Sequence, residues 1–183
     1  MHLNKLAETI FDVIKAEHED LEKHGEGIFF CPELALAYLI GKKIDENKRN
    51  VFGTEKKVIW QRERDLGNGG PSDIIFADAD NGHIPVLVIE VKIRSRSDLY
   101  RGDIEKLIKL NEEYPCCKKI FCALVDVFKD GKKRDGRVDT IDEWVSNHKV
   151  KRIEDPISFD AEKYGAHEDQ CRIHCRIEVL EVQ

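Results

Sequence analysis

Apolar residues recur along this chain with two periods, and the switches between them mark the elements. In "MHLNKLAETIFDVIKAEHEDLEKH" the residues Leu3, Leu6, Ile10, Val13, Ile14 and Leu21 fall on one helical stripe, which predicts a first helix ending near "HGEG". "CPELALAYLIGKKI" predicts a second, with Pro32 in its first turn and a body too apolar for a surface helix. "KKVIWQRERDL" predicts a strand that runs into the "GNGGP" loop. Two more apolar strands follow in "GGPSDIIFADADNGHIPVLVIEVKI", from Gly69 to Ile93. "RSDLYRGDIEKLIKLNEEYP" then predicts a helix, with Ser97 as N-cap and Leu99, Ile104, Leu107, Ile108 and Leu110 as apolar positions. "KKIFCALVDVF" is an apolar run of strand length, and Thr140 and Glu143 in "TIDEW" stand at capping-box spacing, so a short helix should open there. From Cys171 to Val182 apolar and polar residues alternate, which predicts a last strand with one buried face.

This order of helices and strands predicts an α/β sandwich around one central sheet. The third strand, the long helix and the fourth strand form a β-α-β unit. Those two strands should therefore be parallel, with a right-handed crossover. A chain of 183 residues with no internal repeat and no clear linker reads as one domain.

The two strands of the Gly69–Ile93 stretch carry charges that a core does not need. Asn81-Gly82 between them predicts a two-residue hairpin turn. That turn sets Asp73 opposite Glu90, Ile74 opposite Ile89 and Phe76 opposite Leu87. One face is then apolar. The other carries Asp73, Ile75, Ala77, Val86, Val88, Glu90 and Lys92. Both faces are mostly apolar, so both strands should be interior and covered on both sides. Two opposed carboxylates in such a place repel one another and lose hydration. Lys92 can neutralise one charge. A hard divalent cation bridging both acids does better, and Lys92 beside it could orient or deprotonate a water for attack on a phosphodiester. Glu-x-Lys triplets also occur at Glu46-Asn47-Lys48 and Glu55-Lys56-Lys57, but only Glu90-Val91-Lys92 ends an apolar strand paired with an acid-bearing one. A structural Asp–Lys–Glu cluster is the competing reading.

Composition narrows the classes. At 41% apolar and 36% charged residues the chain is globular rather than disordered, and no apolar run reaches the length of a membrane span. The N-terminus mixes acids and bases, unlike a signal or transit peptide, so a cytoplasmic location is expected. The net charge of −6 argues against non-specific nucleic-acid binding, although "KDGKKRDGR" (Lys129 to Arg137) is a local basic run, read first as a solvated loop. The six cysteines are expected to be free thiols. His167, Cys171, His174 and Cys175 lie close together in "HEDQCRIHC". The alternation of the last strand instead makes Cys171 and Cys175 reduced, core-facing and metal-free, and a second pair for a closed zinc site is missing.

"PSD" at 71–73 and "VLVIEVK" at 86–92, together with the helix–three strands–helix–strand order from about Glu33 to Asp126, resemble the PD-(D/E)xK nuclease superfamily. The resemblance covers about half the chain. It implies a three-layer α/β/α sandwich with a central mixed sheet and an αβββαβ core of restriction-endonuclease-like type, at residues 28–128. Residues 1–27 would be an N-terminal helical extension and 129–183 a C-terminal helix and strand addition. It implies a Mg²⁺-dependent nuclease hydrolysing DNA phosphodiesters, with Mn²⁺ as an alternative metal. Asp73 and Glu90 would be ligands, the Val91 carbonyl a third, and Lys92 would position the water. Glu33 matches a glutamate that many members place on the first core helix, and it is equally an acid favoured by a helix N-terminus. Ser72 separates Pro71 from Asp73, a departure from the motif's name. Arg94, Arg96 and Arg101 would contact the nucleic-acid backbone, Arg94 and Arg96 by continuing the parity of Lys92. RNA remains open as a substrate. Sequence specificity would have to come from a homodimer or a partner. The alternative function is a catalytically silent module of the same fold that binds nucleic acid or protein.

Overall fold

The computed structural model describes residues 1–53, 57–128, 135–163 and 172–183. Among these, five α-helices surround a seven-stranded mixed sheet. The helices are α1 (Leu3–Glu22), α2 (Glu33–Glu46), α3 (Lys48–Phe52), α4 (Ser97–Glu113) and α5 (Gly136–Ser146), and a 3₁₀ turn at Ile28–Phe30 leads into α2. The strands are β1 (Val58–Asp65), β2 (Pro71–Asp78), β3 (Ile84–Ile93), β4 (Lys118–Phe128), β5 (Val150–Arg152), β6 (Ile157–Lys163) and β7 (Arg172–Val182). The sheet order is β1-β2-β3-β4-β7-β5, with β6 also pairing β7. β3 and β4 are parallel and α4 connects them, as the β-α-β reading requires; the other pairs are antiparallel.

Side-chain alternation divides the core in two. Leu6, Ile10 and Ile14 of α1 and Leu36, Ile40 and Ile44 of α2 pack with Ile74, Phe76, Leu87, Ile89 and Val91. Tyr100, Ile104, Leu107 and Leu110 of α4 and Ile141 and Trp144 of α5 pack with Ile75, Val88, Phe121 and Val125. β2 and β3 are interior and buried from both sides, as their doubly apolar sequence predicts. The first helix is an extension only in chain order, because its stripe lies within the larger of these clusters.

Several local expectations are corrected. Pro32 is the N-cap of α2 and not a residue of its first turn. α4 starts at Ser97 itself, with Arg96 as N-cap and no side-chain cap bond. In its stripe Tyr100 is buried where Leu99 was expected, and Leu99 is exposed. α5 begins before Thr140: Asp135 caps it by accepting from the Arg137 amide, and the Thr140 hydroxyl donates back to the Gly136 carbonyl. On β7, Ile173, Cys175, Ile177 and Val179 face the core as expected, but Glu178 is fully buried as well. The second face of β7 is covered too, since Leu180 and Val182 belong to the cluster under α4 and α5, and Arg152 and Arg176 neutralise Glu178 at 2.8 and 2.6 Å. The described cysteines Cys31, Cys116, Cys117, Cys122 and Cys175 are free. His167, Cys171 and most of the 129–137 basic run lie outside the described residues. Among those described, no helix is long and apolar enough to cross a membrane.

The hairpin differs from its prediction in an instructive way. Asp78 and Ile84 are the closing pair, so the connection is five residues long and not two. Asp78 starts the turn early, its carboxylate accepting from the Asp80 amide at 3.1 Å, and Gly82 and His83 close it at φ 61° and 59°. A bulge between Phe76 and Ala77 then offsets the pairing by one residue. The register beyond it is the one a two-residue turn would give: Ile74 faces Ile89 and Phe76 faces Leu87. Val86 falls in the bulge and therefore turns away from the Asp73 face, packing against the α1–α2 cluster.

Candidate active site

The charges of the hairpin meet where β2 begins and β3 ends. Asp73 folds back so that its Oδ2 accepts from the Val91 amide at 2.8 Å. Glu90 is buried beside it, only 2% exposed, as expected of a residue on an interior strand. Neither strand brings a positive charge to these two acids except Lys92. The remaining groups come from the helices. Glu33, the first residue of α2, accepts from Lys92 Nζ at 2.8 Å and from the Ile93 amide at 3.1 Å. α4 supplies two residues one turn apart: Asp103 lies 3.4 Å from Lys92 Nζ, and Lys106 Nζ lies 2.7 Å from Glu90 Oε1. Lys106 Nζ also donates to the Pro71 carbonyl. Four of the expected residues, Glu33, Asp73, Glu90 and Lys92, thus come together, and Val91 joins them through its amide.

The electrostatics follow from the burial. Desolvation pushes the Asp73 carboxyl above its ordinary range; the Val91 amide and Lys92 oppose this, and Glu33 adds to it. Glu90 is pushed up to about 7, by burial first and then by the charge of Asp73, against the pull of Lys106. Asp103 is raised by desolvation too, with Lys92 opposing. For Lys92, burial alone would favour the neutral amine. The hydrogen bond to Glu33 and the charges of Asp103, Glu33 and Asp73 outweigh it and raise the pKa. Lys92 is therefore held as an ammonium, which donates hydrogen bonds and stabilises negative charge but does not abstract a proton. Four carboxyl groups share two ammonium groups, so acids outnumber cations in a largely desolvated place, and the raised pKa values of Asp73, Glu90 and Asp103 follow from that.

The arginines stand apart from one another. β3 ends at Ile93, and Arg94 takes a left-handed conformation at φ 50°, so the parity of Lys92 does not continue through it. Its guanidinium turns to Asp126 at 2.8 Å and lies over the Phe29 ring. Arg96 is exposed and pairs with Asp98 at 2.7 Å. Arg101 is exposed on α4. Asp126 also takes Arg137, the one described basic residue of the 129–137 run.

Asp103 and Lys106 were not singled out by the sequence reading. Their signal was present: they border the Tyr100–Ile104–Leu107 stripe and stand at the i,i+3 spacing of one helix edge. Polar residues at a stripe's border usually point to solvent, so their inward turn is set by the acids they meet. Among the described residues, no three His, Cys, Asp or Glu side chains are grouped so as to hold a metal ion. Asp73 and Glu90 are of the donor type a hard cation takes, and such a cation can be held by as few as one or two carboxylates completed by water. Comparison with protein-family models, with curated proteins and with solved structures finds no match for this chain.

Proposed function

We propose that this protein is a metal-dependent nuclease that hydrolyses nucleic-acid phosphodiesters, DNA first among them, on a three-layer sandwich of the restriction-endonuclease type. The observation that carries the reading is the convergence of Glu33, Asp73, Glu90 and Lys92 at one strand end, where acidic groups outnumber basic ones. The helix clusters on the two faces of the sheet support the fold reading. Asp73 and Glu90 would hold Mg²⁺ or Mn²⁺, with the Val91 carbonyl beside them. When bound, a hard divalent cation polarises the phosphate and lowers the pKa of water. Lys92, fixed as an ammonium by Glu33 and Asp103, donates to the attacking water and to the phosphate oxygens as their charge grows. Glu33 and Asp103 act through Lys92 and are positioning residues. Arg96 and Arg101, exposed near the start of α4, are the nearest candidates for backbone contacts.

One observation favours a second reading. Lys92 and Glu90 already have partners within the chain, as a silent binding module with a structural charge cluster would have. Plasmid and single-stranded DNA incubated with the protein and Mg²⁺ or Mn²⁺, and then with EDTA, separates the two. We expect metal-dependent cleavage that EDTA stops. Lys92→Ala should abolish it while metal binding persists. That variant should stay folded at a cost of about 1–3 kcal/mol, because the Glu33 side chain is 35% exposed and can rehydrate. No cleavage by the wild type, with a Lys92→Ala variant too unstable to fold, would leave only the structural cluster.

A further inference from the structure

We propose that Lys106 is a releasable counter-ion of the candidate metal site: its ammonium holds Glu90 when no divalent cation is there, and the cation and the ammonium compete for that carboxylate. The inference rests on the metal reading of Asp73 and Glu90 given above. It comes from an asymmetry between the site's two lysines. Lys92 is fixed from two sides by Glu33 of α2 and Asp103 of α4, and its backbone lies in an interior strand. Lys106 reaches Glu90 from a helix on a flexible stem, its other hydrogen bond is to the neutral carbonyl of Pro71, and the charges of Asp73 and Asp103 also act on it. The main chain of α4 at this point is held separately, by Asn68 donating to the Lys106 carbonyl at 3.1 Å. The ammonium can therefore leave without α4 moving.

Glu90 has no such freedom. Its side chain is 2% exposed and that of Lys106 is 14% exposed. Once ionised, a carboxylate so placed needs a positive neighbour. An incoming divalent cation would meet that need and repel the resident ammonium at close range. The chain thus carries its own occupant for the site, which keeps Asp73 and Glu90 from facing each other uncompensated.

A purely structural ion pair and a competing counter-ion predict opposite responses to Lys106→Met. Metal titration calorimetry with Mg²⁺ and Mn²⁺, without nucleic acid, and thermal melts with and without metal would be run on the wild type, Lys106→Met and Lys106→Arg. We expect Lys106→Met to bind metal on the order of tenfold more tightly than the wild type, since one close positive charge is gone. Its melting point should fall without metal and recover with it. Lys106→Arg, which keeps the charge, should stay near the wild type in affinity. Wild-type binding with equal or weaker binding by Lys106→Met overturns the counter-ion role and leaves the metal site standing. Absence of binding by both proteins overturns the metal site and the counter-ion role together. Should Lys106→Met fail to fold in metal-free buffer, refolding in millimolar Mg²⁺ reads the same competition, and failure to recover there counts against it.

Discussion

Glu90 is the residue on which the metal-free protein's pH response turns. Its carboxyl is raised to about 7 from an ordinary 4.5, by burial and by Asp73. Between these two values the folded chain keeps a proton that the unfolded chain has lost. This contribution to stability is complete below about pH 4.5 and declines as pH rises through about 7. Urea melts in EDTA should show a decline of about 3 kcal/mol across that window, most of which Glu90→Gln removes. Parallel pH profiles for the two proteins would place the proton elsewhere. At this scale the strand residues of the site were readable from sequence, because a two-residue period fixes which side chains share a face. The helix residues were not. Whether Asp103 and Lys106 turn inward depends on what α4 docks against, and the spacing along the helix does not contain that information.

α2 brings Glu33 to the site, and its docking depends on Gly41. The Trp60 ring of β1 lies directly on this glycine, and a Cβ there would overlap the ring. Trp60 cannot swing away cheaply, since Tyr38, Phe76 and Arg62 pack around it. Gly41→Ala would gain about 1 kcal/mol in helix propensity. The clash costs more, and we expect a net loss of about 1–2 kcal/mol by denaturant melts. A shifted α2 would also carry Glu33 off Lys92 and reduce cleavage. A stabilised variant would show that the ring can give way. Elements with one strong period were legible in sequence, as in α1, β3 and β4. The five-residue turn was read as two residues because Asn81-Gly82 masked the earlier Asx turn at Asp78, and the bulge hid the error. β5, only three residues long, and β6 were missed, since both are specified by pairing with β7 and not by a local signal.

For the molecule as a whole, the larger core cluster joins α1 and α2 to one face of the sheet, so a core trimmed of the first helix would lose part of that cluster. Leu6, Ile10 and Ile14 are fully buried, and each contributes about 1.5–3 kcal/mol by burial. Removing α1 loses a sum comparable to the stability of an ordinary domain. A chain starting at residue 24 should be aggregated or unfolded by circular dichroism and gel filtration; a soluble, cooperative and active fragment would refute the shared core. The seven-stranded order has a further consequence during synthesis. Every residue of the candidate site lies between Glu33 and Lys106, and all have been translated well before β7, which pairs with β4 on one edge and with β5 and β6 on the other. Once β4 has followed the site off the ribosome, it stays a bare edge, long and apolar, open to pairing with a neighbouring chain, until β7 is made. β7, the last of these seven strands to be made, is the one that closes that edge.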